Sequence, residues 1–304
     1  MVKKENLVEN NIGSPIFIVG LPRSGSTFLL NLITTNPGIM AIGELLFLTP
    51  WRRDFRYFLK KSVGDLSSVD NIVKMTDLMF SGKNLPGLTA SFWQYGEKYY
   101  NHQDLKDNIV NRLLQTDRSL ENIFKAIVEE FTKYWGYTRF CAKFPVFVKH
   151  VPDLIKWYPD CKILHLVRDP RAMAMSRANF YGKKRLNYRK AMVLFATMQY
   201  IWTSKLHEAY QGITNYALVR YEDLIAQPEH TISQLCDFTC IDFTSRMLEP
   251  EAGQVSSITG EQRGGFDTKA MTHWRNVISP LEEKFITVLT RNSMKRFGYP
   301  ADQL

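Results

Sequence analysis

The chain has four cysteines in 304 residues (Cys141, Cys161, Cys236, Cys240), with no Cys-x-x-Cys spacing and no paired histidines beside them. That pattern offers neither a zinc site nor a redox pair, and the apolar surroundings of the four favour free buried thiols. No stretch reaches the roughly 18 uninterrupted apolar residues of a membrane span. Met1-Val2-Lys3-Lys4-Glu5-Asn6 also lacks the apolar core of a secretion signal, and together these absences lead us to expect a cytoplasmic protein. Long basic runs are missing as well. The net charge is +9, yet Lys and Arg are spread along the chain and no cluster exceeds Lys183-Lys184-Arg185, so the charge suits a small polyanionic ligand better than nucleic acid. There are no repeats and no low-complexity segments. What is plentiful is apolar and aromatic material, 45% and 13% of the residues, enough to bury the core of a single α/β domain over residues 1–304.

One further absence directs the functional reading. Pro15-Ile16-Phe17-Ile18-Val19-Gly20-Leu21-Pro22-Arg23-Ser24-Gly25-Ser26-Thr27 reads as a buried strand, a glycine turn and a helix start, with the spacing of a nucleotide-binding P-loop. Backbone N–H groups in such a loop converge on phosphate oxygens. Ser26, however, stands where a Walker loop carries its lysine, and Arg23 places a fixed charge inside the loop instead. An ordinary ATPase or kinase is therefore disfavoured. No metal-ligand cluster accompanies the loop.

Along the chain, strands alternate with helices, which implies a three-layer α/β/α fold around a parallel sheet. Strands are expected at about 16–20, 137–142, 161–167 and 215–219. Helices are expected at 27–36, from Ser119 through Phe131, at 151–158, about 170–180, 189–210, 228–238 and 280–297. Residues 45–137 fit the strand–helix rhythm least well and read as a mainly helical insertion rich in aromatics, the expected acceptor-site region. A ligand on such a sheet sits beyond the carboxyl ends of the strands. There the sequence places Arg23 and Ser24, then Lys143, then Arg168-Asp169-Pro170-Arg171, then Arg220-Tyr221-Glu222-Asp223. So many cations along one edge call for an anion of several charges. Arg171, Arg220, Glu222 and Asp223 also read well as surface caps. His150, His165 and His207 read as packed or surface histidines, since none has a partner at a meaningful spacing.

The third strand carries Leu166-Val167-Arg168-Asp169-Pro170-Arg171-Ala172-Met173-Ala174-Met175-Ser176, in which Arg168 and the hydroxyl of Ser176 are placed to grip one phosphate. Here the chain resembles the sulfotransferases that use 3′-phosphoadenosine 5′-phosphosulfate (PAPS) and release PAP. Their 5′-phosphosulfate loop looks like Pro22 to Thr27, and their 3′-phosphate motif, an Arg followed eight residues later by a Ser, looks like Arg168 with Ser176. Leu218 to Leu224 is similar to the family segment whose tyrosine lies near adenosine, and Thr272-His273-Trp274-Arg275 to its tryptophan-containing C-terminal element. The resemblance covers about 15–44, 138–240 and 255–298, and leaves out the insertion at about 45–137.

Among these enzymes the likeness runs to the tyrosylprotein and related bacterial type. The aryl branch has a histidine two residues after its catalytic lysine, whereas Lys143 here is followed by Phe144 and Pro145. The resemblance implies Glu44 as the base, at the matching spacing from Arg23, with Lys143 and Arg23 stabilising the group in transit. It implies Arg23, Ser24, Gly25, Ser26, Thr27, Arg168, Ser176 and Tyr221 as the PAPS site, with Lys269 reaching the phosphate from the C-terminal segment after the Gly264-Gly265 turn. One departure stands out: the family's further arginine beyond the phosphate-binding serine is Phe180 here, with Arg177 and Arg185 as the candidates to replace it. The expected activity is sulfuryl transfer from PAPS to a hydroxyl or amine of a small molecule or peptide, without metal or nucleic acid. The alternatives are a small-molecule or nucleotide kinase with a degenerate P-loop and a non-catalytic nucleotide-binding protein.

Overall fold

The computed structural model describes residues 12–43, 47, 54–81, 85, 103–144, 147–182, 186–249, 254–255, 262–263 and 265–300. Its centre is a parallel sheet of β1 (Ile16–Gly20), β2 (Ile39–Ile42), β3 (Arg139–Phe144), β4 (Lys162–Val167) and β5 (Tyr216–Arg220), in the order β2-β3-β1-β4-β5. A short antiparallel pair, β6 (Gln254–Val255) and β7 (Gln262–Arg263), lies apart from it. The helices before β3 are α1 (Ser26–Ile33), α2 (Phe55–Phe58), α3 (Val69–Phe80), α4 (Gln103–Leu114) and α5 (Leu120–Tyr134). Those after it are α6 (Val151–Trp157), α7 (Pro170–Gly182), α8 (Leu186–Tyr210), α9 (Tyr221–Ala226), α10 (Pro228–Thr239), α11 (Lys269–Thr272) and α12 (Pro280–Arg296).

Both faces of the sheet are covered, and the strand residues divide between them with the period of two that a pleated strand imposes. Phe17, Val19, Phe140, Ala142, Phe144 and Ile163 face one side, where they meet Phe124 and Ile127 of α5 and Leu154 and Trp157 of α6. Phe17 is the hub of a ring cluster, 5.8–6.4 Å from Phe124, Phe140, Phe144 and Tyr158. Ile16, Ile18, Cys141, Leu164 and Leu166 face the other side, against α1, α9 and α10. A third apolar cluster joins Val167 and Leu21 to α7, α8 and α12. Helices α3 and α4 bury Met75, Met79, Leu105 and Ile109 in the same core as Phe124.

The architecture is the expected one, with particular corrections. The sheet has a fifth strand, β2, which the sequence reading missed because Ile39-Met40-Ala41-Ile42 is a four-residue edge strand directly after a Pro-Gly turn. Strand β3 begins and ends two residues later than expected: Thr138 and Arg139 donate their N–H groups to the Gly38 carbonyl before the ladder starts, and Lys143 thereby lies within the strand. Helix α1 stops at Ile33, three residues short. The Ser119 cap is present, its hydroxyl accepting the Asn122 N–H at 3.3 Å. The aromatic run at Trp93, Tyr95, Tyr99 and Tyr100 lies outside the described residues. Because the chain crosses from β3 past β1 to β4, the order of strands reverses at β1, and the carboxyl ends of β1, β3 and β4 border the crevice where a ligand belongs.

Candidate active site

The β1–α1 turn is built by two left-handed residues, Arg23 at φ 76° and Gly25 at φ 100°. Ser24 tightens it, its hydroxyl donating to the Leu21 carbonyl at 2.8 Å. Helix α1 starts at Ser26 with no side chain capping its first turn, and the first-turn amides of a helix have no partners within the helix. Dipole and amides together make this a place for an anion. Gly25 is required for a second reason: a Cβ there would lie 2.5 Å from the ring of Tyr221, which packs on the turn from the start of α9.

Lys143 reaches the same helix end from the neighbouring strand. It is paired in register with Ile18, is 9% exposed, and its Nζ donates to Thr27 Oγ1 at 3.0 Å. From the other side, β4 supplies Arg168, which donates to the Arg23 carbonyl at 3.4 Å and to the Ala270 carbonyl at 2.6 Å. The Arg168 guanidinium lies 4.5 Å above the Tyr221 ring, and its Nε is buried with no hydrogen-bond partner among the described residues. Arg23 Nε donates to Ser176 Oγ of α7 at 3.3 Å, and its guanidinium stacks 4.7 Å from the Phe180 ring. Ring stacking and hydrogen bonds of this kind orient a guanidinium while leaving its charge available.

The structure therefore brings together Arg23, Ser24, Gly25, Ser26, Thr27, Lys143, Arg168, Ser176 and Tyr221. Lys269 is exposed, and the C-terminal segment approaches Arg168 through the carbonyl of Ala270. Glu44 lies outside the described residues, as do Gly264 and Arg185. Arg177 is buried against α8, donating to Gln199 Oε1 and stacking on Phe195. Phe180 is itself a partner of Arg23.

The remaining polar residues at this edge hold the scaffold. Arg171 makes a two-pronged ion pair with Asp169 and stacks on Trp274 at 4.7 Å, so burial's tendency to lower its pKa is outweighed by that partner. Arg220 stacks on Tyr299. Glu222 accepts from the Asp169 N–H and the Tyr299 hydroxyl, and burial raises its carboxyl above the ordinary glutamate value. The sequence reading took Glu222 for a cap; the long-range tie was hidden because its partners lie 53 and 77 residues away. His165 and His207 share the Tyr216 hydroxyl at 2.5 and 3.0 Å, well behind the sheet edge. Burial and the neighbouring His207 push His165 down to about 3, and it is neutral at ordinary pH.

Comparison with known proteins gives one consistent result. A family model described as the sulfotransferase family matches residues 15–245. The omega-hydroxy-beta-dihydromenaquinone-9 sulfotransferase of Mycobacterium bovis is 24% identical over 296 residues, covering 87% of this chain and 74% of the relative. Two solved structures share the fold. The sulfotransferase domain of the Synechococcus PCC 7002 olefin synthase has a TM-score of 0.59 at 20% identity, covering 98% of this chain and 99% of that one. The sulfotransferase domain from the curacin biosynthetic pathway has a TM-score of 0.56 at 18% identity, covering 95% and 99%.

Proposed function

The chain belongs to the sulfotransferase family, and we propose that it moves a sulfuryl group from PAPS to a hydroxyl or amine acceptor at the cluster formed by Arg23, Lys143 and Arg168. The observation that carries the assignment is the hydrogen bond from Arg23 to Ser176: it joins the loop after β1 to the helix after β4, the two segments that would hold opposite ends of a bisphosphorylated nucleotide. The partnerless Arg168 Nε fits an anionic oxygen as its missing acceptor. In this reading Arg168 and Ser176 grip the 3′-phosphate, Tyr221 lies against the adenosine, and Lys269 adds charge from the rim. The N–H groups of Ser24 to Thr27 receive the 5′-phosphosulfate.

Sulfuryl transfer is an in-line exchange of one oxygen for another at sulfur. The acceptor oxygen forms the new S–O bond while the bond from sulfur to the phosphate oxygen breaks, so positioning and charge stabilisation dominate the barrier. Glu44, by its spacing from Arg23, takes the acceptor's proton, a role worth about 10²–10⁴-fold. Lys143, held at the first turn of α1, and Arg23 neutralise charge on the sulfuryl oxygens and on the departing phosphate, and losing one such donor costs about 10²–10³-fold. The aromatic insertion would wall the acceptor. A hydroxyl acceptor agrees with the mycobacterial relative, whose name specifies an omega-hydroxy compound. Among the described residues no helix is long and apolar enough to cross a membrane, and a cytoplasmic location is part of the proposal.

The test is thermal unfolding with PAP, ADP and ATP-Mg²⁺ in parallel. A ligand at about 100 times its Kd adds about 2.7 kcal/mol. PAP is expected to stabilise the protein more than ADP, and Arg168→Ala is expected to remove that preference. Stabilisation by ATP-Mg²⁺ alone would overturn the assignment in favour of a kinase.

A further inference from the structure

An acid stands at this cationic edge without an evident reason. Glu222, in the first turn of α9, follows Tyr221 directly, and each of its carboxylate oxygens accepts one hydrogen bond: Oε1 from the Asp169 N–H at 3.0 Å, Oε2 from the Tyr299 hydroxyl at 2.6 Å. Close to a bound phosphate its charge would repel the ligand, so attraction cannot explain it. What it touches does. Asp169 is the residue immediately after Arg168 and the start of α7: its carbonyl accepts the Met173 N–H at 2.9 Å, and its side chain accepts the Arg171 N–H at 2.8 Å. One carboxylate thus fixes the peptide next to Arg168 and the origin of the helix that carries Ser176. Its own backbone carries Tyr221, whose ring supports the Arg168 guanidinium at 4.5 Å and closes on Gly25.

We propose that Glu222 is a positioning residue for the 3′-phosphate grip, setting Arg168, Ser176 and Tyr221 relative to one another through the Asp169 N–H and the Tyr299 hydroxyl. The inference rests on the assignment of PAPS to this site. It requires the shape and reach of the side chain more than its charge. A glutamine in its place keeps both bonds, its oxygen accepting from Asp169 and its amide donating to Tyr299. An aspartate keeps the charge and is one methylene too short to span both partners.

Calorimetric titration of wild type, Glu222→Gln, Glu222→Asp and Glu222→Ala with PAP and with ADP tests it, because a general loss of structure weakens both nucleotides whereas a loosened 3′-phosphate grip weakens PAP alone. Glu222→Ala and Glu222→Asp are expected to weaken PAP about 10- to 100-fold with ADP changed less than about 3-fold, and Glu222→Gln to restore most of the difference. With PAPS as substrate the same variants should raise KM more than they lower kcat. Should Glu222→Ala fail to fold, the Asp and Gln pair carries the comparison. Equal loss of PAP and ADP in Glu222→Asp, or an unchanged preference for PAP there, overturns the positioning role. A wild type that binds PAP no better than ADP overturns the PAPS assignment itself, and this inference with it.

Discussion

Replacing Gly25 by alanine should damage this protein through two separable effects. The residue sits at φ 100°, in the left-handed region, where a Cβ costs about 1–2 kcal/mol. The added methyl also lies 2.5 and 2.7 Å from two carbons of the Tyr221 ring. Restoring an ordinary contact of about 3.4 Å or more moves the ring by roughly 1 Å, away from a position buried among Leu224, Ile225 and the second sheet face. The Arg168 guanidinium, 4.5 Å from that ring, then loses a stacking contact worth about 0.5–1 kcal/mol. We expect a total loss of about 2–3 kcal/mol, a fall in Tm of about 3–5 °C for a chain of this size. Gly136→Ala supplies the control: Gly136 has φ 76° but nothing within 4 Å of its Cβ position, so it carries the backbone cost without the collision. The assay is urea unfolding of both variants together with Gly25→Ala/Tyr221→Leu, in which the collision is relieved and the two substitutions should couple favourably. Equal destabilisation by Gly25→Ala and Gly136→Ala, with additive behaviour in the double variant, would refute the collision argument.

Two further expectations concern parts of the molecule away from the ligand. His165 is held neutral in the core at about 3, well below the value of about 6.5 it has in an unfolded chain. The unfolded form therefore binds the extra proton between those values, and stability present above about pH 6.5 is lost as the pH falls towards 3. From His165 alone the loss between about pH 7 and pH 5 is about 2 kcal/mol, read from urea midpoints, and His165→Gln should flatten that slope. Of the four cysteines, Cys240 is exposed while Cys141, Cys161 and Cys236 are buried, with burial raising all three thiols, Cys161 to about 12. A thiol reagent should label one cysteine quickly in the native protein and the other three only on denaturation; rapid labelling of a second would contradict the packing of β3, of the turn into β4 or of α10.

Much of the fold was legible because it depends on local regularities. The apolar run Ile163 to Val167 reads as a strand covered on both faces, and the Ser119 cap with apolar residues at helical spacing marks the start of α5 to the residue. The turn from Gly20 to Thr27 was also readable, since glycine placement is a property of a short segment. Strand β2 was not, because four residues at a sheet edge carry too little pattern to separate them from the turn before them.

Residue types and spacing, then, determined the class of fold, the phosphate loop, the cations at the ends of the strands and the family to which the chain belongs. Only the tertiary structure decided which of those cations serve each other and which face the crevice. It paired Arg171 with Asp169, laid Arg220 on Tyr299, turned Arg177 to α8, and left Arg23, Lys143 and Arg168 gathered around the start of α1. The physical reason is that a side chain's role here is set by its nearest partner. Those partners, such as Ser176 for Arg23 or Tyr299 for Glu222, stand 153 and 77 residues away, where no local pattern reaches.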